Sequence, residues 1–341
     1  MRVLRLGQQI DAGGISLQDT ILTTAILRDA EKTSFNFSGM GGSRMGPASI
    51  LRFLRKKALM MQKGDLATMK SITELPAQAL LFVNMHPLDA QDGVLLGADA
   101  PSGKVTLGCI GVGAHGFAVN LKQFLQEDDC RIVAVCDVHA GRRQRGREAV
   151  DEKYGGKGCA EIADFRQVLS RPDIDAVVIS TPDHWHVTMA LMALEAGKRV
   201  FCEKPTLTIA EGRELAQAVA QKRLLFATGL EDRSVIQYYK MAEVVRNGGI
   251  GRLRRIQVGL PVKPIFPKEE PVSVPAGLDW DMWVGPAPFR PYTASLTEPQ
   301  VWRQIRDFSG GSLTDWGAHL VDTAQVANFA EDTSPVAVKD R

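Results

Sequence analysis

One short segment limits the fold of this chain more than any other. Gly111-Val112-Gly113-Ala114-His115-Gly116 has the spacing Gly-x-Gly-x-x-Gly. It follows an apolar run over 105–110 and opens a stretch where Phe117, Leu121 and Leu125 recur at helical spacing. The spacing alone is a weak signal, because glycines also gather in ordinary turns. Between a strand and a helix it has a specific meaning. Gly111 permits the tight turn, Gly113 leaves the backbone open to a pyrophosphate, and Gly116 lets helix and strand pack closely. The N–H groups of the new helix then face the phosphates. The segment predicts a dinucleotide-binding parallel sheet.

The following sequence fits that prediction. Apolar strand-like runs at 132–136, 174–180, 199–202 and 224–228 alternate with helical stretches at 141–154, 187–195 and 208–223. Nearly continuous apolar strands separated by helices indicate a parallel sheet covered on both faces. Gly197 is placed to end one helix, and Thr208 with Glu211 forms a capping box for another. Asp137 closes the second strand, where an acid hydrogen-bonds adenosine ribose hydroxyls. An acid there favours NAD, while Arg142 and Arg143 keep NADP open. The alternative is a turn-forming glycine cluster with an incidental aspartate, and three features in register argue against it.

The chain divides into an extension over 1–103, a Rossmann domain over 104–229 and part of an α+β domain over 230–341. Within the extension, 19–27 suits a short helix and 50–61 an amphipathic one with its charges solvated. Residues 89–104 read as a linker. Beyond 229, a helix is expected over 235–247, a strand over 254–258, an ordered loop over 261–291 and a helix over 314–329. Net charge is +2, which gives no case for nucleic-acid binding. Cys109, Cys130, Cys136, Cys159 and Cys202 lack Cys-x-x-Cys spacing, so reduced thiols are expected rather than a zinc site. No apolar run is long enough to span a membrane, and the N-terminus has no secretory core. A cytoplasmic protein is expected, with export open if the true start differs.

Four constellations carry the chemistry. The glycine loop with His115 and Asp137 is the first. The second is Thr181-Pro182-Asp183-His184-Trp185-His186, at the carboxyl end of a strand where ligands of such sheets bind. Two histidines at that spacing lack the further ligands of a metal site, so no metal is expected. Thr181, Pro182, His184 and His186 read instead as a polar lip beside the cofactor. The third is Glu203-Lys204-Pro205, whose lysine should enter the same crevice with a lowered proton affinity. Elsewhere such a lysine would be an ordinary surface residue. The fourth is Asp315 and His319, four apart on one helix face, a carboxylate placed to orient an imidazole and favour its charged form. Taken alone such a pair is more often structural, and the preceding domain makes it a candidate for proton transfer.

Together with Gly310-Gly-Ser-Leu-Thr-Asp-Trp-Gly-Ala-His319-Leu-Val-Asp322 and the segment 278–288, these motifs resemble the glucose–fructose oxidoreductase / inositol dehydrogenase / MocA (Gfo/Idh/MocA) family over about 104–330. The resemblance implies a Rossmann domain followed by an α+β domain with an open, mostly antiparallel sheet. It implies NAD or NADP as cofactor, Lys204 as catalytic lysine, and Asp315 and His319 as the substrate-binding and proton-transfer pair. Glu203 and Lys204 then also border the cofactor. The implied reaction is reversible oxidation of a secondary alcohol on a sugar or cyclitol. Some relatives are glycosidases that retain NAD and oxidise the sugar transiently, and a non-catalytic dinucleotide sensor is a further alternative. The chain carries 103 unmatched residues first and ends at Arg341, so an incomplete second sheet is expected. A homo-oligomer is expected if that sheet suffices.

Overall fold

The structure is a computed structural model and describes residues 4–6, 103–261, 266 and 268–330. Its centre is a sheet of six parallel strands, β2 Val105–Ile110, β3 Cys130–Cys136, β4 Ala160–Ile162, β5 Ala176–Ile179, β6 Arg199–Glu203 and β7 Phe226–Gly229. Their order across the sheet is β4-β3-β2-β5-β6-β7. The order reverses between β2 and β5, which pair from Leu107↔Ala176 to Ile110↔Ile179. A crevice opens at the carboxyl ends of those two strands, because the chain leaves them in opposite directions.

The strands are apolar throughout because both faces are buried. Val105, Leu107 and Cys109 of β2 pack with Val178 of β5, Leu121, Phe124 and Val150 on one face. Ile110 packs with Val177 and Ile179 of β5, Trp185, Ala190 and Leu194 on the other. That alternation is the two-residue period of a strand. On the first face lie α1, a π-helix at Gly116–Leu121 continued by Lys122–Phe124, and α2, Ala140–Tyr154. On the second lie α3 Phe165–Leu169, α4 Asp183–Glu195 and α5 Ile209–Lys222. The expected capping box closes α5 in both directions, Thr208 Oγ1 accepting from Glu211 N–H and Glu211 Oε2 from Thr208 N–H. Gly197 follows α4 at φ 73°. All five cysteines are free thiols; Cys159 is half-buried and the rest are buried, and burial pushes Cys130 and Cys159 up to about 12. The short β4 has no counterpart in the sequence reading.

Beyond β7 come a 3-10 turn, Glu231–Ser234, then α6 Ile236–Arg246, β8 Ile256–Val258, α7 Trp280–Val284, α8 Pro299–Trp302 and α9 Gly311–Ala327. The segment expected as loop over 261–291 contains α7. Trp280 and Trp283 stack there at 4.9 Å, with Tyr292 and Phe308 at their edges. α9 packs on α6 and on the 3-10 turn, which brings it to the rim of the crevice. Of the expected second sheet, the described residues contain β8, which pairs in parallel with β1, Leu4–Leu6. Among the described residues, β1 is what joins the extension to the second half. The helices expected over 19–27 and 50–61, and residues 89–102 of the linker, lie outside the described residues. Among the described residues no helix is long and apolar enough to cross a membrane.

Candidate functional site

Two of the three loop glycines are required by the protein itself. Gly111 has φ 83°, and a Cβ there would sit 2.6 Å from the Ser180 carbonyl oxygen. A Cβ on Gly116 would sit 2.1 Å from the Gly111 oxygen. Gly113 differs, since its Cβ would meet only the Arg142 guanidinium at 3.5 Å, ordinary contact. The space above Gly113 is not needed for folding, and it is the space a pyrophosphate would take. Asp137 stands at the end of β3 and is buried. Its Oδ2 accepts from Val112 N–H at 3.0 Å and its Oδ1 from His139 N–H at 3.0 Å. Burial raises its proton affinity, against the pull of Arg142 and these N–H groups. The glycine loop, the start of α1 and Asp137 thus fit a dinucleotide, with Arg142 beside the phosphate path.

The crevice is a cleft of about 870 Å³, in the range of small-molecule sites. Gly111, Gly113, His115, Gly116, Asp137, Thr181, Pro182, His186, Glu203, Lys204, Asp315 and His319 all line it. His115 Nε2 lies 3.1 Å from Glu203 Oε1, which also accepts from Asn120 Nδ2 at 3.0 Å. Burial opposes charge on both partners, but the contact between them outweighs it, raising His115 and lowering Glu203. Asn120 also donates to Ser180 Oγ at 2.8 Å, which binds the glycine-loop helix to β5 and β6.

His184 does not join the site, contrary to the expected polar lip. α4 begins at Asp183, four residues earlier than the apolar pattern suggested, so the motif is the first helical turn. Residues two apart on a helix point nearly opposite ways. His186 therefore faces the cleft while His184 faces the aromatic core, its Nε2 3.1 Å from the Trp283 carbonyl and its ring against Phe308. Burial lowers His184 to about 4. His186 is buried and braces the cleft wall, with Nδ1 2.8 Å from the Pro205 oxygen and Nε2 2.9 Å from the Thr181 oxygen. That ties the loop after β5 to the one carrying Lys204.

Lys204, Asp315 and His319 do meet, in a different pairing from the one expected. Lys204 Nζ donates to Asp315 Oδ1 at 2.8 Å and to the Asp315 carbonyl at 3.0 Å. Arg303 Nε lies 3.4 Å from Asp315 Oδ2. The aspartate thus serves the lysine and arginine rather than orienting the imidazole. The charged form of His319 is not favoured either, since burial, with the Lys204 ammonium, lowers it to about 4. Its nearest carboxylates come from the 3-10 turn, Glu231 Oε1 at 4.0 Å from Nε2 and Asp232 Oδ2 at 3.9 Å from Nδ1. Among the described residues no cluster of histidines, cysteines and acids is placed to hold a metal.

Sequence reasoning missed Asn120, Asp183, Glu231 and Arg303, the last three of which line the cleft. Glu231 carried a usable signal, for it follows the carboxyl end of β7 as Lys204 follows that of β6. Arg303 carried none.

Comparison with known proteins agrees with this architecture. Residues 105–230 match the model of an oxidoreductase family with an NAD-binding Rossmann fold, and 267–340 match that family's C-terminal α/β domain. An α-N-acetylgalactosaminidase of Shewanella oneidensis is 36% identical over 133 residues, 38% of this chain and 29% of that protein. A glycosyl hydrolase family 109 protein of another Shewanella is 33% identical over 159 residues, 44% of this chain and 33% of that protein. The chain spans about a third of the length of these two relatives. Among solved structures, apo scyllo-inositol dehydrogenase of Lactobacillus casei is 28% identical with a TM-score of 0.39, covering 43% of each chain. A 3-ketoreductase of Actinomadura kijaniata, solved with NADP, is 24% identical with a TM-score of 0.40, covering 44% of this chain and 45% of that one. With its Rossmann sheet, its glycine loop and both family domains matched, the chain belongs to the Gfo/Idh/MocA family of NAD-binding oxidoreductases.

Proposed function

We propose that this chain oxidises a secondary alcohol of a sugar or cyclitol, with NAD preferred over NADP. The observation that carries the reading is the Lys204–Asp315 pair, which places an ammonium at the carboxyl edge of β6 and inside the cleft. Lys204 follows a parallel strand, so it stands where the reactive end of a cofactor seated on the glycine loop would lie. When bound, the nicotinamide supplies the hydride acceptor. Lys204 and His319 then hold the reacting hydroxyl from two sides, and Asp315 with Arg303 fixes the lysine. The ammonium stabilises negative charge as it develops on the oxygen. Thr181, Pro182, His186 and Glu203 line the cleft and would border the nicotinamide. Asp137 supplies charged acceptors for the ribose hydroxyls, worth about 1.5–3 kcal/mol. The cofactor-binding unit is residues 104–229, and 230–341 supplies the substrate side.

A second reading comes from the curated relatives. The chain would be a glycosidase that oxidises its sugar transiently and regains its NAD. Both readings begin with the same oxidation, so Lys204 serves either, and the products separate them. The test is a screen of hexoses, N-acetylhexosamines and cyclitols with NAD and NADP, following the absorbance of the reduced cofactor. Stoichiometric reduction by one polyol supports the proposal. Release of nitrophenol from nitrophenyl α-N-acetylgalactosaminide without net reduction supports the glycosidase.

A further inference from the structure

Four acidic residues of the cleft lining, Asp183, Glu231, Asp232 and Glu298, have no part in the reading above. Glu231 opens the 3-10 turn after β7 and lines the cleft, with its Oε1 4.0 Å from His319 Nε2. Its Oε2 is shut off from solvent and makes no hydrogen bond. The side chain as a whole is 31% exposed, so only this inner oxygen is shut away, where an unpaired charge is costly. The groups facing it come from several elements. They are Glu203 at the end of β6, Lys204 just after it, His115 of the glycine loop and His319 of α9, with Asp232 on its own turn. Lys204 is already engaged by Asp315, and His115 by Glu203.

We propose that Glu231 is a catalytic residue of this site, the base that takes the proton of the reacting hydroxyl. The proposal rests on the oxidoreductase reading and assigns its proton acceptor. Two groups 4.0 Å apart can both reach one oxygen. An oxygen about 2.8 Å from each would see them roughly 90° apart, an ordinary angle for two hydrogen bonds at a hydroxyl. Neutral His319 donates Nε2–H to that oxygen, and Glu231 Oε1 accepts its O–H. As the hydride leaves the carbinol carbon for the cofactor, the O–H bond breaks, the proton moves to Glu231, and the C=O bond forms. Glu231 later releases that proton to water. His319 is a poor acceptor for this purpose, since burial lowers it to about 4. Glu231 is better matched to neutral conditions, because burial and then the charge of Glu203 raise it to about 7.

The test has a spectroscopic arm and a kinetic arm, both on the full chain. Infrared difference titration with ¹³C-labelled glutamate reads the protonated carboxyl band without any substrate. The expected result is a band that disappears with a midpoint near 7, is absent in Glu231→Gln, and persists in Glu195→Gln, a surface control. A Glu231 ionised throughout the range from pH 5 to 9 overturns the proposal. In the kinetic arm, with a polyol that reduces the cofactor, Glu231→Gln should lower turnover by about 10²–10⁴-fold and remove the acid limb of the pH profile. Turnover at the parent rate overturns it. If no polyol reduces the cofactor, the oxidoreductase reading fails while the infrared arm still decides the state of Glu231.

Discussion

Gly113 and Gly116 are the same residue type three positions apart, yet they answer to different demands. Gly113→Ala should leave the fold intact, because a Cβ there meets only the Arg142 guanidinium at 3.5 Å. It should weaken NAD binding by at least about tenfold, roughly 1.4 kcal/mol or more, read by calorimetry. Gly116→Ala should instead lower the melting temperature, because its Cβ falls 2.1 Å from the Gly111 oxygen and the backbone must move. Overpacking of that kind costs about 1–3 kcal/mol. If both variants lose cofactor with unchanged melting temperatures, the division between them is wrong. Lys204→Ala and His319→Ala form a second pair. Each should reduce turnover by about 10²–10³-fold, with NAD affinity little changed, since neither residue belongs to the glycine loop or to Asp137. An unimpaired His319→Ala enzyme would make His319 a structural residue.

At the scale of elements, the sheet was legible because burial on both faces leaves near-continuous apolar runs, and the glycine loop marked its first crossover. What failed was the start of α4. Its first turn, Asp183 to His186, is polar, so the apolar pattern signalled a helix only from 187. The offset turned His184 from the cleft to the core and made a lip residue of a packed one. The Asp315–His319 spacing was likewise read correctly as one helix face, but spacing within α9 could not reveal Lys204 and Arg303 arriving from other elements. The buried His184 carries a measurable consequence. Its proton affinity is depressed from 6.5 to about 4, so the unfolded chain binds the proton first as pH falls. Stability is full above the unfolded value and is lost as pH drops toward 4. Between pH 7 and 5 the loss from this one group should be about 2 kcal/mol. His319, depressed likewise to about 4, contributes in the same direction. Urea denaturation at the two pH values should show a smaller difference in His184→Gln than in the parent, and an equal difference would contradict the burial argument.

For the molecule as a whole, the Lys204–Asp315 pair is one of the contacts that join the Rossmann sheet to the residues beyond it, 111 residues apart in sequence. Among the described residues the extension touches the second half through β1 against β8, and the Rossmann sheet is built from strands within 105–229. Removing residues 1–103 should therefore leave NAD affinity within about twofold of the parent, a change below about 0.5 kcal/mol. A truncated chain that stays folded by circular dichroism but no longer binds NAD would place part of the cofactor site in the extension. The central claim is net hydride transfer from a polyol carbon to the nicotinamide, and isotope transfer measures it most directly. NAD-loaded protein would be mixed with carbon-deuterated glucose, N-acetylgalactosamine and myo-inositol, and the cofactor recovered for mass spectrometry. The account predicts that one of these yields reduced cofactor one mass unit heavier, in amounts equal to the keto product, and that Lys204→Ala slows the transfer by about 10²–10³-fold. Cofactor recovered oxidised and unlabelled from all three, under conditions where nitrophenyl α-N-acetylgalactosaminide is hydrolysed, would contradict it.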